Sequence, residues 1–308
     1  MPLKIVFMGT PDFSVPCLER IIADNHKVVG VFCQPDRPKG RGMALEFPPV
    51  KKAALQEGLP VFQPLTLGDG EALQVLRGLA PDVIVVVAYG RKLPASILEL
   101  PPMGCINGHA SILPRWRGAA PIQWSLISGD EVTGVTTIFM SETLDGGDII
   151  LTQQTKIEPD ETSGQLFERL SVMCAELTSQ TLLRIEDGSA PRIPQDIALA
   201  TSAPPIKKNM ARLDFNAHPT DFCNFVRGMN PWPGAVASFA GAPIKIHKAV
   251  LAPDFSGAQG EILHPKRLIV ACGDGAVELV TVQAQGKKPM DGGAWRNGLR
   301  NAHSEGFS

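Results

Sequence analysis

The chain has 308 residues, 29 Lys+Arg against 31 Asp+Glu for a net charge of -2, and 44% hydrophobic residues. This excludes wholesale disorder and a peptide-sized binding module, and the length suits two domains of ordinary size. The near-neutral total hides a split, because residues 1–206 hold 17 basic and 23 acidic side chains while residues 207–308 hold 12 and 8, so the two parts are expected to meet different ligands.

In chain order, Lys4 to Met8 reads as a short buried strand and Gly9-Thr10-Pro11-Asp12 as the turn opening a helix at about Phe13. Val28 to Cys33 and Val83 to Ala88 are further β-branched runs, with helix-like Val50 to Glu57 and Glu71 to Leu79 between them. Gly104 to His109, Val135 to Met140 and Ile149 to Lys156 continue the strands, separated by a helix-like Ala119 to Ser128. Thr162 to Glu186 has the length and period of an amphipathic helix, with Thr162 placed as its cap. Alternation of this kind predicts a parallel α/β sheet whose ligands sit at the carboxyl ends of its strands.

Asp187 to Pro205, rich in Gly, Ser and Pro, reads as a linker. Beyond it come one helix-like stretch, Thr220 to Met229, and short strands at Ala235 to Phe239, Ile244 to Leu251, Leu268 to Cys272 and Ala276 to Val282. Short strands between Gly and Pro turns predict a small β-barrel. The expected division is therefore 1–188 for a catalytic domain, 189–206 for a linker and 207–308 for the barrel.

The six cysteines lie far apart with no C-x-x-C pair, which predicts reduced, mostly buried thiols, as in a cytoplasmic protein. No apolar run approaches the length of a membrane helix and the histidines show no metal-ligand spacing. A soluble monomer without a metal is expected. The turn Gly9-Thr10-Pro11-Asp12-Phe13 lacks the later glycines of a dinucleotide fingerprint, so a nicotinamide or flavin cofactor is disfavoured and the turn reads as a strand-to-helix connection.

The segment most suggestive of chemistry is Cys105-Ile106-Asn107-Gly108-His109. Strand alternation puts Cys105, Asn107 and His109 on one face, with two polar groups at the end where the sheet opens. An Asn amide can donate to a carbonyl oxygen turning into an oxyanion, and a His can donate to it or accept a proton. A third group should orient the imidazole, and Leu144-Asp145-Gly146-Gly147-Asp148 offers two aspartates between which spacing does not choose. Cys105 is expected in the core rather than as a nucleophile, and Ser111 lacks the Gly-x-Ser-x-Gly elbow. Direct attack by an external nucleophile is favoured.

Asn107-x-His109 with Ser111-Ile112-Leu113-Pro114-Arg115-Trp116-Arg117-Gly118-Ala119-Ala120-Pro121-Ile122, and Leu144-Asp145-x-Gly147-Asp148 downstream, resembles the signature of the 10-formyltetrahydrofolate-dependent formyltransferases. Gln34-Pro35-Asp36-Arg37-Pro38, Ala88-Tyr89-Gly90, Leu93-Pro94 and Asn230-Pro231-Trp232-Pro233-Gly234-Ala235 extend the likeness over almost the whole chain and toward the branch acting on methionyl-tRNA. The resemblance implies a Rossmann-like catalytic domain with an OB-like C-terminal barrel, and it makes Asn107, His109 and Asp145 the catalytic trio. It implies that Ser111, Ile112, Leu113, Pro114, Tyr89, Gly90 and Leu93 line the folate site, and that Arg37, Lys39, Arg41, Lys207 and Lys208 meet the tRNA. The 36–47 loop departs from the family at Met43-Ala44-Leu45, where a basic pair often stands. Two rivals remain: a superfamily member acting on an aminosugar nucleotide or hydrolysing formyltetrahydrofolate, and a non-catalytic RNA-binding protein.

Overall fold

A computed structural model describes residues 2–39, 44–68, 70–299 and 306–308. The chain divides into two compact units. The first comprises 1–121, 133–155 and 167–203; the second comprises 122–132, 156–166 and 204–308.

The first unit is built on a seven-stranded sheet. In spatial order its strands are Ile149–Lys156, Val132–Phe139, Cys105–His109, Val83–Val87, Lys4–Gly9, Lys27–Phe32 and Val61–Phe62. Pairing is parallel from Cys105–His109 across to Val61–Phe62, and antiparallel where Cys105–His109 meets Val132–Phe139. The central strands are apolar along their whole length because both faces are covered; Ile5 to Met8 and Val83 to Val87 are buried without interruption. This is the mostly parallel α/β architecture the alternation predicted.

The helices Val15–Ala23, Pro49–Gln56 and Glu71–Leu79 fall where the periodicity put them. Thr162 caps the long helix Ser163–Glu186 reciprocally: its hydroxyl accepts from the Gln165 N–H at 3.4 Å and the Gln165 side chain accepts from the Thr162 N–H at 3.0 Å. Two short strands, Arg37–Lys39 and Ala44–Glu46, pair antiparallel inside the stretch read as a loop.

In the second unit, Ala235–Phe239, Ala242–Leu251, Gly275–Ala284 and Ile269–Cys272 follow one another as antiparallel neighbours, with Met290–Asp291 added to Gly275–Ala284. These are the strands expected of the barrel-type domain. Its helix, Pro219–Gly228, opens on His218, whose ring accepts from the Thr220 N–H.

Candidate active site

Three strand-end connections of the first unit are stitched together by Thr10. Its hydroxyl donates to the Tyr89 carbonyl at 3.2 Å and accepts from the Gln34 N–H at 3.3 Å, while the Gln34 amide reaches the same carbonyl at 3.1 Å. The first turn therefore serves as a connection. Ala88 and Gly90 take left-handed backbone, at φ 46° and 81°, which turns the chain sharply after the Val83–Val87 strand.

Beside this rim, Cys105–His109 delivers Asn107 and His109, 8% and 7% exposed, to the end of its strand. The Asn107 amide donates to Asp145 Oδ1 at 3.4 Å, and Oδ2 of the same carboxylate lies 3.7 Å from His109 Nδ1. His109 Nε2 faces the Trp116 carbonyl at 2.9 Å; a carbonyl only accepts, so this nitrogen carries a hydrogen. Both ring nitrogens thus face oxygen acceptors. The Gly118 N–H donates to Asp145 Oδ2 at 2.9 Å. Spacing left two aspartates open; Asp145 is the one that meets Asn107 and His109, whereas Asp148 faces Arg192 at 3.7 Å.

The Asp145 connection is tight. A Cβ at Gly147 would stand 1.7 Å from the Phe139 carbonyl oxygen, and Asp145 itself is left-handed at φ 49°. On the facing loop Trp116 is left-handed at φ 64°. Unfavourable backbone at two non-glycine residues around one cluster has to be held by its surroundings.

Of the other anticipated residues, Tyr89, Leu93, Ser111 and Leu113 have buried side chains. Ser111 donates to the Arg115 carbonyl at 2.7 Å, and its own carbonyl accepts from Thr136 at 2.7 Å. Ile112 and Pro114 are half-buried and Gly90 is exposed. The Tyr89 hydroxyl is buried with no hydrogen-bond partner among the described residues.

Arg37 is exposed on its short strand, Lys39 ends that strand, and Arg41 lies outside the described residues. Asp36 at the root of this loop binds Lys51 Nζ at 2.7 Å, and that hydrogen bond holds its carboxyl below the usual range. Lys207 and Lys208 are exposed in the second unit.

Cys105 is buried in its strand, with a thiol pushed up to about 12 by desolvation. That is the opposite of an activated nucleophile. Among the described residues no three His, Cys, Asp or Glu side chains gather as a metal would need, and no helix is long and apolar enough to cross a membrane.

Sequence reasoning missed the support around Asp145. The Gln195 amide donates to the carbonyls of Asp145 and Gly147, at 2.8 Å each, and its oxygen accepts from Arg117 at 2.7 and 3.1 Å. Thr201 accepts from the Trp116 N–H at 2.9 Å. Both lie in the stretch read as linker, where Gly, Ser, Pro and isolated apolar residues set the pattern and nothing local marks Gln195 or Thr201.

Residues 3–182 match the formyl transferase family model, and residues 205–300 match the model of the formyl transferase C-terminal domain. The methionyl-tRNA formyltransferase of Agathobacter rectalis is 44% identical over 98% of this chain and 98% of its own. That of Moorella thermoacetica is 46% identical over 96% of each. A Helicobacter canadensis N-formyltransferase solved with folinic acid and dTDP-3-aminofucose shares the fold, with TM-score 0.70 at 17% identity, over 92% of this chain and 99% of that one. HypX of Aquifex aeolicus, solved with tetrahydrofolic acid, gives TM-score 0.64 at 16% identity, over 96% of this chain and 47% of that one. The chain belongs to the formyl transferase family, and within it to the methionyl-tRNA formyltransferases; it is an enzyme that transfers a formyl group.

Proposed function

We propose that the formyl group moves from 10-formyltetrahydrofolate to the α-amino group of methionyl-tRNA, in the cytoplasm, for translation initiation. The observation that carries this reading is the convergence of Asn107, His109 and Asp145 in one cluster at the sheet's opening, within a chain that is 44% identical along its length to a protein named for that reaction.

The amine lone pair attacks the formyl carbon and forms the new C–N bond, while the carbonyl π pair moves onto oxygen. Asn107 uses one amide hydrogen on Asp145 and has a second for that oxygen. His109 is the other donor once its Nε2 hydrogen turns from the Trp116 carbonyl to the formyl oxygen, and the carboxylate 3.7 Å from Nδ1 stabilises an imidazolium. Asp145, through water, takes up the proton lost by the attacking nitrogen. Collapse of the tetrahedral species breaks the bond to N10, which takes up, through water, the proton held by Asp145 and leaves as tetrahydrofolate.

The donor's ring system suits the connections formed by Tyr89, Gly90, Leu93 and Ser111 to Pro114, where Gly90 is exposed and Ile112 and Pro114 are half-buried. Arg37, Lys39 and Arg41, with Lys207 and Lys208, supply positive charge for the tRNA, and the exposure of Arg37, Lys207 and Lys208 supports that role.

The test is transfer of labelled formyl from 10-formyltetrahydrofolate to methionyl-tRNA by the wild type and by Asn107→Ala and His109→Ala. Each variant is expected to lose about 10²- to 10³-fold in kcat with its fold intact by circular dichroism, the scale of one lost oxyanion donor. Near-normal turnover in either variant removes that residue from the mechanism.

A further inference from the structure

We infer that Gln195 is a positioning residue for formyl transfer, locking the Asp145 connection to the Trp116 loop; this rests on the reading of Asp145 as catalytic. The side chain is half-buried and its hydrogen-bonding capacity is fully engaged. Its two amide hydrogens go to two main-chain carbonyls of one tight turn, Asp145 and Gly147, at 2.8 Å each. Its oxygen receives Nε and a terminal nitrogen of Arg117, at 3.1 and 2.7 Å.

Arg117 stands between the two residues that complete the cluster from the facing loop. Trp116 before it supplies the carbonyl against His109 Nε2, and Gly118 after it supplies the N–H bonded to Asp145 Oδ2. One amide group therefore ties the turn that aims the carboxylate to the loop that aims the imidazole. The turn that Gln195 holds and the residue before Arg117 are both strained, with Asp145 at φ 49° and Trp116 at φ 64°, so neither backbone keeps its conformation on local preference alone.

The surrounding segment is fixed for the same purpose. Ile193 exchanges backbone hydrogen bonds with Ile149, Thr201 bonds the backbone of both Trp116 and Arg117, and Ser202–Ala203 pairs in parallel with Arg117–Gly118. Residues 193–203 thus brace the cluster from behind. Gln195 is the member whose side chain reaches the Asp145 turn, and only an amide gives that turn two donors and Arg117 an acceptor. A carboxylate would set an oxygen against two carbonyls, and a methionine would keep the length and lose every bond.

The test compares Gln195→Met and Gln195→Glu in the wild type and in an Asp145→Ala background, using steady-state kinetics of labelled formyl transfer. Gln195→Met is expected to lower kcat about 10- to 100-fold while KM for each substrate stays within about three-fold, as for a displaced catalytic group. Added to Asp145→Ala it should cost less than about two-fold more, because the group it aims is already gone. Gln195→Glu, which keeps the contact with Arg117, provides the same comparison if Gln195→Met folds poorly. Equal losses in both backgrounds, or a loss that tracks the melting temperature, overturn the positioning role. Near-normal turnover by Asp145→Ala alone instead overturns the catalytic reading of Asp145.

Discussion

Burial acts in opposite directions on the polar side chains of the first unit. Asn107 and His109 are buried with their partners in place, whereas two buried thiols are raised: desolvation alone pushes Cys105 up to about 12, and desolvation is the largest cause that takes Cys33 up to about 11. Because folding raises these values, the thiols contribute stability that is intact below about pH 9 and is lost as pH rises toward 11 and 12. The melting temperature should therefore fall above about pH 9, and less steeply in Cys105→Ala. At about pH 8 the same thiols are protonated, so iodoacetamide should leave turnover unchanged; inactivation by alkylation at Cys105 would revive a thiol mechanism. Tyr89 is one of three exceptions to polar pairing among the described residues, with Gln153 Oε1 and Thr178 Oγ1: a buried hydroxyl without a partner. Tyr89→Phe removes an unmet donor and should leave the melting temperature unchanged or slightly higher. A clear drop would reveal a bond the fold depends on.

The elements that position the cluster were unevenly legible. Uninterrupted β-branched runs such as Val83–Val87 and caps such as Thr162 with Gln165 write strands and helices locally, and the structure places them within a residue or two. The polar pair at the end of Cys105–His109 was legible for the same reason, since strand alternation fixes which side chains share a face. The connections were not. Gln195 and Thr201 act on residues 48 to 85 positions away, and no local pattern announces a bond of that span. Spacing could not choose Asp145 over Asp148 because the choice is made by a left-handed turn and the close approach of Gly147 to Phe139. Gly147→Ala would put a Cβ 1.7 Å from that carbonyl and should cost about 2 to 4 kcal/mol in urea denaturation, with reduced turnover as Asp145 shifts. Wild-type stability in that variant contradicts the close approach.

Across the whole molecule, the near-neutral charge divides between an acidic part that carries the Asn–His–Asp cluster and a basic part rich in exposed Lys and Arg. Not all of that positive charge is available: Arg267 is bound bidentately by Glu278, and Lys248 meets Asp160 at 3.1 Å. Lys207 and Lys208 are exposed, and replacing both with Ala should lower the slope of log kcat/KM for tRNA against log salt by about one to two units, with free methionine turnover unchanged. An unchanged slope removes these lysines from the phosphate track. The fold is shared with an N-formyltransferase solved with an aminosugar nucleotide, so acceptor choice is the claim to test. Labelled formyl from 10-formyltetrahydrofolate should be offered to methionyl-tRNA, free methionine and an aminosugar nucleotide in direct competition. The label should pass overwhelmingly to methionyl-tRNA; equal or greater transfer to either small acceptor would contradict the account.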